Sequence, residues 1–216
     1  QRQMCIRDSS MTIQKQFASL RGNYLASIAE ELESHITELL VEEGVSRVDR
    51  VSARAKEVDS FLRKSENTND DGSQKYSNPF VQIQDQIGAR VTVFFQSDVD
   101  RVSSLLVNKY FRSIEYVDKI PDTDWEFGYF GRHFILALPT DVMPESFEEI
   151  DGLPQFFELQ IKTLFQHAWS EANHDLGYKK PDGEEPEQLK RRLAFASAQA
   201  WGADRIFQEL HSEVGD

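Results

Sequence analysis

The sequence predicts an α+β domain: a mixed β-sheet of about five strands flanked by helices. Apolar residues recur at three- and four-residue steps near both ends of the chain, the period of an amphipathic helix. Between those ends lie short β-branched and aromatic runs, "ARVTVFF" (89–95), "RHFILAL" (132–138) and "FFELQIK" (156–162), which read as strands. The 216 residues are 39% hydrophobic with 15 Phe, enough for a single sizeable core, and no internal repeat or composition break divides them.

Residues 1–10, "QRQMCIRDSS", show neither period and precede Met11; they read as a non-native or disordered tail, leaving 11–216 as one domain. Phe17, Leu20, Tyr24, Ile28, Leu32, Ile36 and Leu39 then mark a long helix within 12–44 that stops near Gly44. The stretch "VSRVDRVSARAK" fits a strand or a helix equally, and "EVDSFLRK" is helical. "SENTNDDGSQKYSNP" is polar and contains Gly and Pro, so it is expected to be a flexible loop. After strand 89–95 come a helix from Asp98 to Lys109, a strand near 113–118, and the strands at 132–138 and 156–162. An acidic, exposed loop, "PTDVMPESFEEIDGLP", separates the last two. Helices from Thr163 to about His174 and over 187–210 close the chain.

Charge narrows the function. The net charge of −13, from 37 acidic and 24 basic side chains, disfavours a general nucleic-acid binder, whose phosphate contacts need a basic surface. The basic residues are uneven, however: Arg47, Arg50, Arg54, Lys56, Arg63 and Lys64 form an island suited to phosphate. No apolar run approaches the roughly 18 residues of a membrane span, and no signal-peptide pattern is visible. The single cysteine, Cys5, cannot form an internal disulfide, which fits a cytoplasmic, reducing compartment.

Four stretches carry candidate chemistry. On strand 156–162, Phe157, Leu159 and Ile161 point one way, while Glu158, Gln160 and Lys162 point the other. This is either an edge or half-exposed strand with a solvated face, or a carboxylate fixed on a rigid sheet. Asp85, before Gly88 and Arg90, is either a turn aspartate or a second carboxylate. Paired with Glu158 from a neighbouring strand, it would hold Mg²⁺ and leave positions for water and phosphates. Arg54 and Lys56, with Ser60 and Lys64 one helical turn apart, form either a solvated face or a triphosphate clamp. Tyr129, near His133, is either a core aromatic or a stacking platform for a base.

The helix after Lys162 has an apolar stripe of Leu164, Phe165, Ala168, Trp169, Ala172 and Leu176. His167, Glu171, His174 and Tyr178 form a second row at four- and three-residue steps. The row is not HExxH, and a row that orients the neighbouring strand is the expected role.

Taken together and in this order, the blocks resemble the RelA/SpoT-type nucleotide pyrophosphokinase, or alarmone synthetase, domain over roughly Ser52–Lys179. "SARAKEVDSFLRK" resembles the family's basic ATP-binding block, "IQDQIGARV" its DxxGxRV block, and "FGYFGRH" its GYxSxH loop. "FELQIKTLFQHAWSEANHDLGYK" resembles EIQIRTxxQHAWAExEHDxxYK, the most specific of the four.

The resemblance implies a small single-domain synthetase with a nucleotidyltransferase-like fold. Its activity would be transfer of pyrophosphate from ATP to the ribose 3′-hydroxyl of GDP or GTP, making (p)ppGpp. It implies Asp85 and Glu158 as Mg²⁺ ligands, with Glu158 also helping to deprotonate the hydroxyl. Arg54, Lys56, Ser60 and Lys64 would bind ATP, with Lys64 and Arg90 neutralising charge on the transferred group. Tyr129, His133 and Gln160 would serve the acceptor side, Gln160 by supporting the metal ligand. By analogy, the closing helix is expected to form homo-oligomers.

The sequence departs from the pattern on the acceptor side. Trp125 and Phe127 stand where guanosine-specific members usually have Lys and Asn. Gly131 replaces the Ser of GYxSxH, and Lys162 the Arg of EIQIRT. Two alternatives therefore stand beside guanosine alarmone synthesis: a toxic synthetase acting on a tRNA 3′ end or adenine nucleotides, and a module without turnover.

Overall fold

A computed structural model describes residues 12–117, 131–178 and 187–215. The tail expected over 1–10 lies outside these residues. So do Trp125, Phe127 and Tyr129. The expected α+β architecture is present as one five-stranded sheet in the order β1-β2-β5-β4-β3. The strands are β1 (Val48–Ala55), β2 (Ile87–Val93), β3 (Ser113–Val117), β4 (Arg132–Ala137) and β5 (Phe156–Thr163). Only β2 and β5 pair in parallel, so the sheet is mixed.

Helix 12–42 opens the described chain, passing through a π-helical turn at Arg21–Leu25 into α1 (Ala26–Glu42). Ile28, Leu32, Ile36 and Leu39 recur on one face and are all buried. Gly44, at φ 64°, ends the helix. The amide of Gly44 returns to Val41 O at 3.0 Å and that of Val45 to Leu40 O at 2.9 Å, a Schellman closure that glycine adopts without a Cβ penalty. From α1, Glu33 accepts the Ala53 amide of β1 at 2.8 Å, satisfying a donor on an edge strand.

The stretch that fitted strand or helix is β1, because its alternate residues face the core and the cavity described below. α2 (Val58–Ser65) follows. Its Phe61 is fully buried and stacks on Phe17 with ring centroids 3.7 Å apart, which turns Ser60, Arg63 and Lys64 away from the core. The polar segment 65–79, expected to be flexible, closes on itself through an isolated bridge between Thr68 and Gln74 and the Lys75 amide to Asn67 O.

β5 is a central strand, which removes the edge-strand alternative for Glu158 and Gln160. Its Phe157, Leu159 and Ile161 meet Ala89, Val91 and Val93 of β2 in the core. α3 (Gln96–Leu105) follows β2, α4 (Leu164–Tyr178) continues β5, and α5 (Glu187–Val214) closes the fold. Thr163 ends β5 and caps α4: the Gln166 amide donates to its hydroxyl at 3.1 Å, and its own amide donates to Gln166 Oε1 at 2.9 Å. The apolar stripe expected on α4 is not buried as such. Ala168, Ala172 and Leu176 are exposed, since α4 runs off the end of the sheet and meets α5 through Phe165 and Phe207.

A buried carboxylate fastens α5. Asp204 is 1% exposed and accepts from Gln96 Nε2 at 2.5 Å and Thr163 Oγ1 at 2.9 Å. His211 stacks on Phe95 at 4.2 Å, two helical turns further along the same face. Removing the carboxylate strands the buried Thr163 hydroxyl and the half-buried Gln96 amide, so Asp204→Ala is expected to cost roughly 2–3 kcal/mol and about 5–10 °C in Tm. Thermal and urea denaturation check this; an unchanged midpoint would show that this carboxylate does not fasten α5.

Candidate active site

Sheet register assembles the site. Across the strands, Arg54, Gly88 and Glu158 lie on one rung, and Ser52, Arg90, Gln160 and His133 on the next. Residues on a rung point to the same face, as do residues two apart on a strand. Arg54, Arg90, Glu158, Gln160 and His133 therefore share the face opposite the apolar core. That face floors a cavity of about 610 Å³, walled by Lys56, Ser60 and Arg63 from the α2 side and by His174 from α4.

Gly88 keeps the floor open. A Cβ built there meets nothing within 4 Å, and its φ is not positive, so backbone geometry does not demand glycine at this point. The absent side chain leaves room between Arg54 and Glu158. A glycine inside a strand is the sequence sign of such close approach.

Asp85 lies in the turn before β2, at the rim of the same cavity. Lys56 Nζ donates to its Oδ2 at 2.8 Å, and Lys64 Nζ is 2.9 Å from its Oδ1. Burial pushes this carboxyl up, but the two ammonium groups overcome burial and hold it below the usual aspartate range. Arg21, in the π-turn, secures the segment carrying Lys56: its Nε donates to Lys56 O at 3.1 Å and its Nη2 to Glu57 Oε1 at 2.6 Å.

Glu158 is held on both oxygens. Gln160 Nε2 donates to Oε2 at 2.8 Å, and His133 Nδ1 lies 3.0 Å from Oε1. His133, expected on the acceptor side, is 2% exposed and stands against Glu158. Its strand pairs directly with β5, which brings the ring to the carboxylate.

α4 holds Arg90. Nη1 of Arg90 donates to Glu171 Oε1 at 2.6 Å and lies 3.0 Å from His167 Nδ1. A guanidinium only donates, so Nδ1 accepts and the imidazole proton sits on Nε2. Burial, then the Arg90 charge, keeps His167 below its ordinary pKa. Burial raises Glu171, but Arg90 outweighs it and leaves the carboxyl lowered. The expected brace thus consists of His167 and Glu171 acting on Arg90. His174, of the same row, is exposed and lines the cavity wall.

Two departures on the acceptor side touch each other. A side chain at Gly131 would collide with Lys162 Cγ and would stand 2.5 Å from Ile161 O, a backbone atom that cannot swing away. Lys162 itself is buried and donates to Ser170 Oγ at 3.2 Å.

Sequence reasoning left Arg63 and Arg21 unassigned. Arg63 belonged to the basic island, and its spacing of three from Ser60 places both on one face of α2. Arg21 had no local signal, because the π-turn that aims it is set by tertiary packing.

Comparison with known proteins places this arrangement. The family described as "Region found in RelA / SpoT proteins" matches residues 53–183. The chain belongs to the RelA/SpoT family. It is 30% identical over 178 residues to the GTP pyrophosphokinase YjbM of Bacillus subtilis (strain 168), covering 80% of this chain and 76% of that protein. The crystal structure of small alarmone synthetase 1 from Bacillus subtilis bound to its product pppGpp superposes with a TM-score of 0.68 at 27% identity, over 87% of this chain and 93% of that one. The same synthetase bound to AMPCPP gives 0.64 at 26% identity, over 86% and 91%. The five-stranded mixed sheet with flanking helices described above matches the fold of these synthetase structures.

Because its folded pKa is depressed, Asp85 adds stability above its ordinary value of 3.8 and loses that contribution as pH falls through its folded value. In a Lys56→Met, Lys64→Met double variant burial acts unopposed, and Asp85 is expected to titrate above the ordinary aspartate range. Carboxyl ¹³C NMR reads this directly; a value still below that range would remove the lysines as the cause.

Proposed function

We propose that this protein is a GTP pyrophosphokinase, moving the β,γ-pyrophosphate of ATP onto the ribose 3′-hydroxyl of GDP or GTP to make (p)ppGpp. The observation that carries this is the placement of Asp85 and Glu158 in one cavity whose walls supply Arg54, Lys56, Arg63 and Arg90. Carboxylates with several cations around open space suit a polyphosphate arriving with a divalent cation.

The donor set fits Mg²⁺. Both groups are hard carboxylate oxygens on neighbouring elements, and the described residues contain no cluster of three or more His, Cys, Asp or Glu that would cage a metal unaided. Such a site takes a cation that keeps water and shares phosphate oxygens. Asp85 and Glu158 would hold it, and when bound it would neutralise phosphate charge.

The chain's own groups do the rest. Arg54, Lys56 and Ser60 grip the ATP phosphates, and Lys64 and Arg90 balance charge gathering on the transferred group. Arg90 arrives already oriented by Glu171 and His167. The 3′-oxygen attacks the β-phosphorus as the bond from that phosphorus to the α,β-bridging oxygen breaks, and AMP leaves. The hydroxyl proton passes to Glu158, fixed on the sheet by Gln160. Positioning and electrostatics carry the rate. Tyr129 would stack on the acceptor base; it lies outside the described residues.

We place this activity in the cytoplasm, since residues 11–216 contain no cysteine and so depend on no disulfide from an oxidising compartment. No described helix is long and apolar enough to cross a membrane. Exposed apolar residues on α5, Phe195, Trp201, Ile206, Phe207 and Leu210 among them, offer a surface for self-association.

Incubation with labelled ATP, Mg²⁺ and separately GDP, GTP, AMP or tRNA is expected to label the guanine nucleotides. Glu158→Gln should abolish transfer while leaving the melting curve in place. Label on tRNA or on adenine nucleotide alone would reassign the acceptor, and no label on any acceptor would leave a module without turnover.

A further inference from the structure

We propose that His133 is a positioning residue that fixes the plane of the Glu158 carboxylate, and is not a ligand of the acceptor nucleotide. The inference rests on Glu158 being the group that takes the hydroxyl proton.

Topology puts the imidazole where this role requires. In the antiparallel β4–β5 pair, His133 stands opposite Gln160, and Glu158 lies two residues before Gln160 on the same face. The diagonal neighbour across a sheet is within reach of a ring side chain. The imidazole reaches it: Nδ1 is 3.0 Å from Glu158 Oε1. An ionised carboxylate only accepts, so Nδ1 carries the proton and donates.

A glutamate needs such help. Its terminal torsion has no sharp staggered minimum, so a carboxylate anchored at Cγ alone turns broadly. Gln160 holds Oε2 from within β5 and His133 holds Oε1 from β4, so the two oxygens are fixed by two different strands. The contrast in exposure favours the same assignment. The His133 side chain is 2% exposed, whereas Glu158 is 20% exposed and lines the cavity. The carboxylate meets the substrate, and the imidazole stands behind it. A base turned out of line loses near-attack geometry without any loss of binding.

Three substitutions separate this role from acceptor contact, because amides mimic the two ring nitrogens differently. The Asn amide nitrogen is two bonds from Cβ, as Nδ1 is; the Gln amide nitrogen is three bonds away, as Nε2 is. Steady-state kinetics with GDP as the varied acceptor are expected to show His133→Ala lowering kcat by about ten- to hundredfold, the loss of a hydrogen bond to a charged group. The acceptor KM should stay within about twofold of its original value. His133→Asn should recover most of the kcat, and His133→Gln should not; thermal melts establish that each variant is folded.

A rise in acceptor KM with kcat retained, restored by Gln and not by Asn, would overturn the proposal and return His133 to the acceptor. Equal loss of kcat in the Ala and Asn variants would also overturn it. Glu158→Gln is the reference. Turnover kept in that variant removes the base itself, while turnover lost there and kept in His133→Ala breaks only the link to His133.

Discussion

Parallel pairing of β2 with β5 sets Gly88 beside Glu158 and Arg90 beside Gln160, and the rest of the site follows from it. Side chains alternate along a strand, so a one-residue slip of either partner would exchange the faces of its residues. Glu158 would then enter the layer now filled by Phe157, Leu159 and Ile161, and an unpaired carboxylate would face an apolar core. The core therefore enforces the register, and the register places the chemistry. β1 and β4 extend the two rungs outward, adding Arg54 on one side and His133 on the other.

Charge is organised around that floor. A protein of net charge −13 gathers Arg54, Lys56, Arg63, Lys64 and Arg90 about one cavity and sets carboxylates among them. The pairings are divided by element. Lys56 and Lys64 meet on Asp85, Arg90 is held by α4, and Glu158 takes its donors from the sheet. Asp85 is thereby kept beside two lysines and Glu171 beside an arginine, where the ionised form is favoured. Cations grouped in a cleft of an acidic protein focus attraction on a small polyanion and offer no basic track for a long one.

Much of this was legible in the sequence because it is local. Alternation in "FFELQIK" separated Glu158 and Gln160 from the core residues, and Arg54, Lys56 and Ser60 of the basic block line one cavity after folding. The parts that were not legible depend on partners distant in the chain. β1 read as strand or helix, since "VSRVDRVSARAK" satisfies both periods until β2 supplies a ladder. α4 carries an apolar stripe at helical spacing, but it overhangs the sheet and Ala168, Ala172 and Leu176 stay open. Nothing near His133 in the sequence marks Glu158 as its neighbour; pairing of β4 with β5 brings its Nδ1 within 3.0 Å of that carboxylate. Gly131 became intelligible once Lys162 and the Ile161 carbonyl were seen against it.

ATP phosphates bound as proposed would occupy the space above Gly88, between Arg54 and Glu158. Calorimetric titration of Gly88→Val with the non-hydrolysable analogue AMPCPP and Mg²⁺ tests this most directly. Valine suits a strand and would meet no atom within 4 Å at its Cβ, so the fold should melt at or above its original temperature. Affinity is expected to fall by at least roughly tenfold, the loss of about 1.4 kcal/mol of binding free energy. A folded variant that binds the analogue as tightly as the parent would place the phosphates elsewhere and contradict the account.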